Sequence, residues 1–142
     1  MIAAFVFFFL ASFAHADEAL LGYWTQVSEK CSIGELLLPA QFYTLYFGEN
    51  GFGSEHFNNG ECDVHTEFHY HVDESKLTTW KSRITKKICS GPDDSINVFD
   101  FPITFRIQRD EKGESTLVLK IPIGQCSDRG ISTAIFHRIP QG

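Results

Sequence analysis

The amino-acid sequence predicts an all-β chain: an eight-stranded antiparallel up-and-down barrel that begins after an N-terminal signal peptide. Three observations point there. Short runs rich in Phe, Tyr, Ile, Val and Thr recur between Gly, Asn, Asp and Pro, without long helical periodicity. The connections between those runs alternate short and long, as a meander requires when successive turns lie at opposite ends. Each of the four cysteines falls in a different one of the longer connections.

Taken in order, residues 1–16 form an apolar run ending in Ala14-His15-Ala16, a small-x-small cleavage site, with no Lys or Arg ahead of it. The run is too short for the roughly 20 residues that span a bilayer. Residues 17–142 then make a single domain, expected to be secreted or periplasmic, with no transmembrane segment in the mature chain. All charged residues lie in that domain, so the net charge of −6 is its own. An acidic domain is a poor partner for nucleic acid, which needs a basic surface.

The expected strands are 22–30, 41–49, 52–58, 64–73, 76–88, 96–109, 115–123 and 133–139. Asn50-Gly51 is a strong hairpin turn, and 73–75 and 110–113 supply two further tight connections. The longer connections carry Cys31, Cys62, Cys89 and Cys126, which strand polarity places at one end of the barrel. An even number of cysteines in an exported chain implies disulfides. Cys31–Cys62 with Cys89–Cys126 is the preferred pairing, and Cys31–Cys126 with Cys62–Cys89 the alternative. No pair has the close spacing of zinc ligands, so no metal is expected.

Period-two patterning assigns the faces. Phe68, Tyr70, Phe99, Phe101, Phe105, Leu117 and Leu119 point inward. A three-residue loop at 73–75 sets Phe68 against Trp80 and Val64 against Ile84 inside, with Glu67 against Lys81 and His65 against Arg83 outside. Sliding by one would bury Lys81, at a cost of several kcal/mol. A two-residue turn at Asn50-Gly51 places His56 inside opposite Leu45, with Tyr43, Phe47 and Phe52. Pro102 and Pro122 cannot donate to a ladder and imply bulges or breaks.

Polar residues that invite chemistry are few. His65, Glu67, His69 and His71 share one strand face, which reads as solvated rather than metal-binding because the stretch from Lys81 to Lys87 beside it is basic. No nucleophile elbow, metalloprotease helix or phosphate loop is present, and no cofactor is implied. The chain is therefore expected not to be an enzyme.

Leu21-Gly22-Tyr23-Trp24 resembles the Gly-x-Trp signature of lipocalins and their calycin relatives. The resemblance implies that Arg138, in Phe136-His137-Arg138, lies across Trp24 at the closed base, with Gly22, Trp24 and Arg138 sealing the barrel. The chain is similar to small exported lipocalin-like domains of bacteria. One expectation is a small apolar ligand, of fatty-acid or lipid class, held in the barrel by Phe68, Tyr70, Trp80, Phe99, Phe101, Phe105, Leu117, Leu119 and His56. A lid at Ser32–Ala40, carrying Leu36-Leu37-Leu38, would cover the mouth. The alternative is a filled barrel that binds a protein partner through its loops. A cavity of roughly 300 Å³ or more favours the carrier, and a packed interior the interaction module.

Overall fold

Alternation of apolar and polar side chains produces strands throughout the structure. It is a computed structural model describing residues 18–32, 36–37, 42–90, 102–121 and 130–141. The expected signal peptide, Phe99, Phe101, Pro122 and Cys126 lie outside the described residues. The strands are β1 (Gly22–Cys31), β2 (Leu36–Leu37), β3 (Phe42–Phe47), β4 (Phe52–Asn58), β5 (Cys62–Asp73), β6 (Lys76–Cys89), β7 (Pro102–Arg109), β8 (Ser115–Ile121) and β9 (Ser132–Arg138). From β3 to β9 each strand pairs antiparallel with the next, and β1 joins β3 to β9. The result is a closed eight-stranded barrel in up-and-down order, an architecture that fits a calycin-like fold. Among the described residues, no helix is long and apolar enough to cross a membrane.

Of the expected lid, Ser32 and the short strand Leu36–Leu37 are described. The backbone of that strand pairs with Glu29 and Lys30 as β2, extending the β1 edge. Pro102 opens β7, the strand position that tolerates a missing N–H. β6 meets β7 through Lys76, Leu77 and Thr78 alone.

Two registers differ from expectation, and both differences move side chains between inside and outside. The β3–β4 hairpin closes through a three-residue loop: the Gly48 N–H donates to the Phe52 carbonyl at 2.8 Å, and Gly51 takes φ +70°. Leu45 therefore pairs with Glu55, and Thr44 with His56. A one-residue slip exchanges every face of a strand. His56 and Phe52 thus lie outside, and Glu55 lies inside.

The β5–β6 hairpin instead turns through Glu74-Ser75, with Asp73 opposite Lys76 and Glu74 at φ +52°. His69 consequently faces Trp80, which puts Trp80 on the outer surface rather than beside Phe68. The slip that would have buried Lys81 is absorbed by a bulge. Lys81 adopts φ +53°, stays exposed, and the ladder resumes with Glu67 opposite Arg83. A second shift sets Thr66 against Ile84 but His65 against Lys86, so the expected His65–Arg83, Val64–Ile84 and Glu67–Lys81 pairs are all replaced. Bulges of this kind raise the local twist and re-aim side chains.

The disulfide framework also differs from the preferred pairing. Cys62 and Cys89 stand opposite each other at the end of the β5–β6 ladder and are bonded. The hairpin runs further than the sequence pattern suggested, which carries both cysteines into one rung. Because Cys62 and Cys89 bond each other, neither half of the Cys31–Cys62, Cys89–Cys126 scheme can stand, and the bond formed is the Cys62–Cys89 half of the alternative; Cys31 is disulfide-bonded too.

Candidate functional site

The barrel interior is built in two levels. At the base, a helical turn over 18–20 folds across the opening and buries Leu20 completely. Trp24 is also fully buried, and its indole N–H donates to the Leu20 carbonyl at 2.8 Å. The Arg138 guanidinium lies 4.4 Å from the centre of the Trp24 ring. It donates to the Leu21 carbonyl at 2.6 Å and to the Ala19 carbonyl. Desolvation, with the charge of Arg109 adding to it, lowers the Arg138 pKa. Gly22 has φ +111°, a conformation L side chains rarely adopt, and a Cβ there would stand 3.5 Å from the Arg138 guanidinium. The residues expected to seal the barrel are thus in contact.

Above the base, Phe47 meets Phe68 and Tyr70 edge-on, at 5.9 and 5.1 Å between ring centres. The Tyr70 hydroxyl donates to the Gly48 carbonyl at 2.6 Å, so it is occupied within the barrel wall. Phe68 lies over Gly53, where a Cβ would stand 2.3 Å from its ring. Phe105, Leu117 and Leu119 belong to the same buried core. Of the residues expected to line a cavity, Phe68 and Leu119 do so, whereas Tyr70, Phe105 and Leu117 pack within the core.

The upper level is a small chamber of mixed character. β3–β6 contribute Tyr43, Glu55, Thr66, Thr79 and Ser82, while β7 and β8 contribute Ile103, Leu119 and Ile121. The cavity measures about 40 Å³. That is room for a few waters, far below the roughly 300–1,000 Å³ of small-molecule pockets.

Glu55 is the residue that sequence reasoning missed. Burial raises its carboxyl pKa from 4.5 to about 7. Tyr43 is shifted well upward by its own burial first, and then by the charges of Glu55 and Glu29. An ionisable carboxyl inside the barrel breaks the patterning rule, so nothing in the sequence favoured the register that put it there.

The outer face of β3–β6 carries the remaining chemistry. Tyr23 packs at a tilt against Tyr46 at 4.5 Å, Phe52 likewise against His69 at 4.3 Å, and His69 stacks on Trp80 at 5.7 Å. His71 meets the same indole edge-on. Phe52 is 54% exposed and Tyr23 43%. Glu67, from the expected histidine face, is ion-paired with Arg83 at 2.9 Å. Toward the disulfide end, the rings of His56 and His65 stack 3.9 Å apart. Asp63 accepts from Lys86 and lies 2.7 Å from His56 Nε2, and these bonds lower its pKa to about 2.

No protein-family model matches the chain, and no curated protein matches it. Among solved structures, the chain is similar to a protein from Burkholderia xenovorans determined by NMR, with 17% identity, 99% of both chains covered and a TM-score of 0.56. The likeness is one of fold. It covers 99% of this chain and agrees with the closed eight-stranded barrel described above.

The geometry separates the expected ligand residues into three groups. Phe68, Tyr70, Phe105, Leu117 and Leu119 face the interior. Trp80 and His56 face outward, because the two hairpin registers differ from those the turns suggested. Phe99 and Phe101 lie outside the described residues.

Proposed function

We propose that the protein is an exported, non-catalytic, lipocalin-like binding module that works from the outer surface of its barrel. The size of the interior carries this reading. A cavity of about 40 Å³ has no room for a fatty acid or comparable lipid. Above about pH 7, where Glu55 ionises, its charge would also repel a fatty-acid carboxylate. The barrel then serves as a rigid scaffold, and the outward-facing aromatic rings on β1, β3, β4, β5 and β6, Tyr23 and Phe52 the most exposed, are the surface on offer. Tyr, Trp and Phe are enriched at protein–protein contacts because they bury much area at low entropic cost.

A second reading rests on Glu55. A carboxyl lining the chamber beside Tyr43 suits a very compact ligand that carries a hydrogen-bond donor or positive charge. Its apolar body would sit against Ile103 and Ile121.

The two readings part in one experiment. A photo-crosslinking amino acid placed at Phe52, on the aromatic face, should yield a discrete protein adduct in the native host. The same group at Lys120, exposed on β8, should not. Equal labelling at both positions, or none at either, would overturn the outer-face reading.

A further inference from the structure

His56, Asp63 and His65 are the second place where the two hairpin registers have a chemical consequence. His56 and His65 are direct partners in the β4–β5 ladder, and Asp63 lies two residues before His65 on the same face. The strands therefore hold all three side chains on one outer patch. Nε2 of His56 lies 2.7 Å from Asp63 Oδ1, and Nε2 of His65 lies 3.7 Å from the same oxygen. The three donor atoms all fall within 4.8 Å of one another.

From this convergence we infer that His56, Asp63 and His65 form a three-ligand site for a late first-row divalent cation, zinc or copper(II). Tetrahedral zinc with bonds of about 2.0–2.1 Å keeps its donor atoms about 3.3 Å apart. The two nitrogen-to-oxygen distances, 2.7 and 3.7 Å, bracket that value. Two imidazoles and one carboxylate are a donor set such ions favour, whereas magnesium and calcium favour all-oxygen shells.

The surroundings fit the assignment. Lys86 holds the other carboxylate oxygen, Oδ2, at 2.7 Å, leaving Oδ1 for the cation and fixing the carboxylate's orientation. The Cys62–Cys89 bond lies in the rung next to Asp63, tying β5 to β6 there. The imidazoles stand 19° from parallel, so one ring must turn about its terminal torsion for both nitrogens to address a single ion. Their side chains are 33% and 38% exposed, which leaves room for that turn. A fourth coordination position opens toward solvent, where a water or a partner's side chain completes the shell.

Lys86 also sets an upper limit on strength, because its ammonium repels a cation nearby. A dissociation constant in the micromolar range is the expected outcome. The histidine-rich strand face read from the sequence is thus split. His65 joins His56 across the ladder, while His69 and His71 pack on Trp80.

The test is calorimetric titration of the full oxidised protein with zinc chloride, and separately with copper(II), at near-neutral pH. One-to-one binding is expected, weakened roughly tenfold or more by each of His56→Gln, Asp63→Asn and His65→Gln. His71→Gln, elsewhere on the same strand face, should leave the affinity unchanged. Metal-dependent shifts of the His56 and His65 ring resonances in NMR should report the same two residues in the unsubstituted protein. Absence of saturable binding by either ion overturns the assignment. Binding that survives His56→Gln and His65→Gln, or is lost with His71→Gln, overturns it equally.

Discussion

Trp24→Ala should lower the stability of the domain by about 3–5 kcal/mol, the usual range for removing a buried tryptophan from a core. Trp24 has no exposed surface, so the substitution leaves a cavity rather than a groove. It also orphans the Leu20 carbonyl, which accepts the indole N–H, and removes the ring over which Arg138 lies. Loss on this scale is a large share of the 5–15 kcal/mol by which domains are ordinarily stable. Arg138→Met isolates the polar part of the same device. It keeps much of the side-chain volume but frees the carbonyls of Ala19 and Leu21, which the guanidinium now holds. Hydrogen bonds to charged groups are worth about 1.5–3 kcal/mol, so a loss near that range is expected. Urea titration gives both numbers. A cost below 1 kcal/mol for Trp24→Ala, on the scale of surface changes, would mean that the base is not a closed, packed plug. Emission offers a second check. Trp80 is the other tryptophan and lies on the outer face, so Trp24→Phe should leave a red-shifted spectrum.

The second large effect depends on pH. Glu55→Gln should stabilise the protein above pH 7 and do little near pH 4. The sign follows from the direction of the shift. In the unfolded chain Glu55 ionises near its ordinary value of 4.5, and in the folded barrel only at about 7. Between those values the unfolded state gives up its proton and the folded state keeps it. Stability therefore falls as pH rises through that window, and the full penalty is in place above it. The interval corresponds to at most about 3 kcal/mol, less where water reaches the carboxyl. Glutamine has nearly the same shape and no charge to lose, so its advantage should grow across that window. Urea titrations of both proteins at several pH values measure the difference directly. A gap that is the same at every pH would place the carboxyl outside the barrel.

These expectations rest on features that the sequence shows unequally. Strand positions were legible because period-two patterning needs no knowledge of the partner strand. Phe68, Tyr70, Ile103, Phe105, Leu117 and Leu119 are buried as their alternation implies. Barrel order was legible because the cysteines and long connections sort to one end. Trp24 and Arg138 stand together because the first and last strands are antiparallel neighbours, with Trp24 opposite Arg138. Register was not legible, for a specific reason. Around Asn50-Gly51 a two-residue and a three-residue loop are both chemically reasonable, and Gly51 can take the left-handed conformation that the longer loop requires. That single residue decides whether His56 or Glu55 lies inside. At 74–75 the turn uses Glu74 in a left-handed conformation, which a glutamate rarely adopts and composition does not announce. The Lys81 ammonium is kept in water by a bulge at that residue, while the strand on either side takes the register that sends Trp80 out.

The cluster of His56, Asp63 and His65 was hidden by the same ambiguity. Only with His56 outside does it come opposite His65. The sequence put His65 beside His69 and His71, since residues two apart share a face. Cross-strand partners, which lie closer than same-strand neighbours, cannot be named until the register is known.

We propose that the barrel acts as a scaffold rather than a lipid carrier, since the chamber among the described residues, about 40 Å³, has no room for a lipid. Native mass spectrometry of the protein purified from its own host tests it most directly. The account predicts the mass of the polypeptide with no organic molecule retained. A stoichiometric adduct of fatty-acid or lipid mass, released on unfolding, would contradict it.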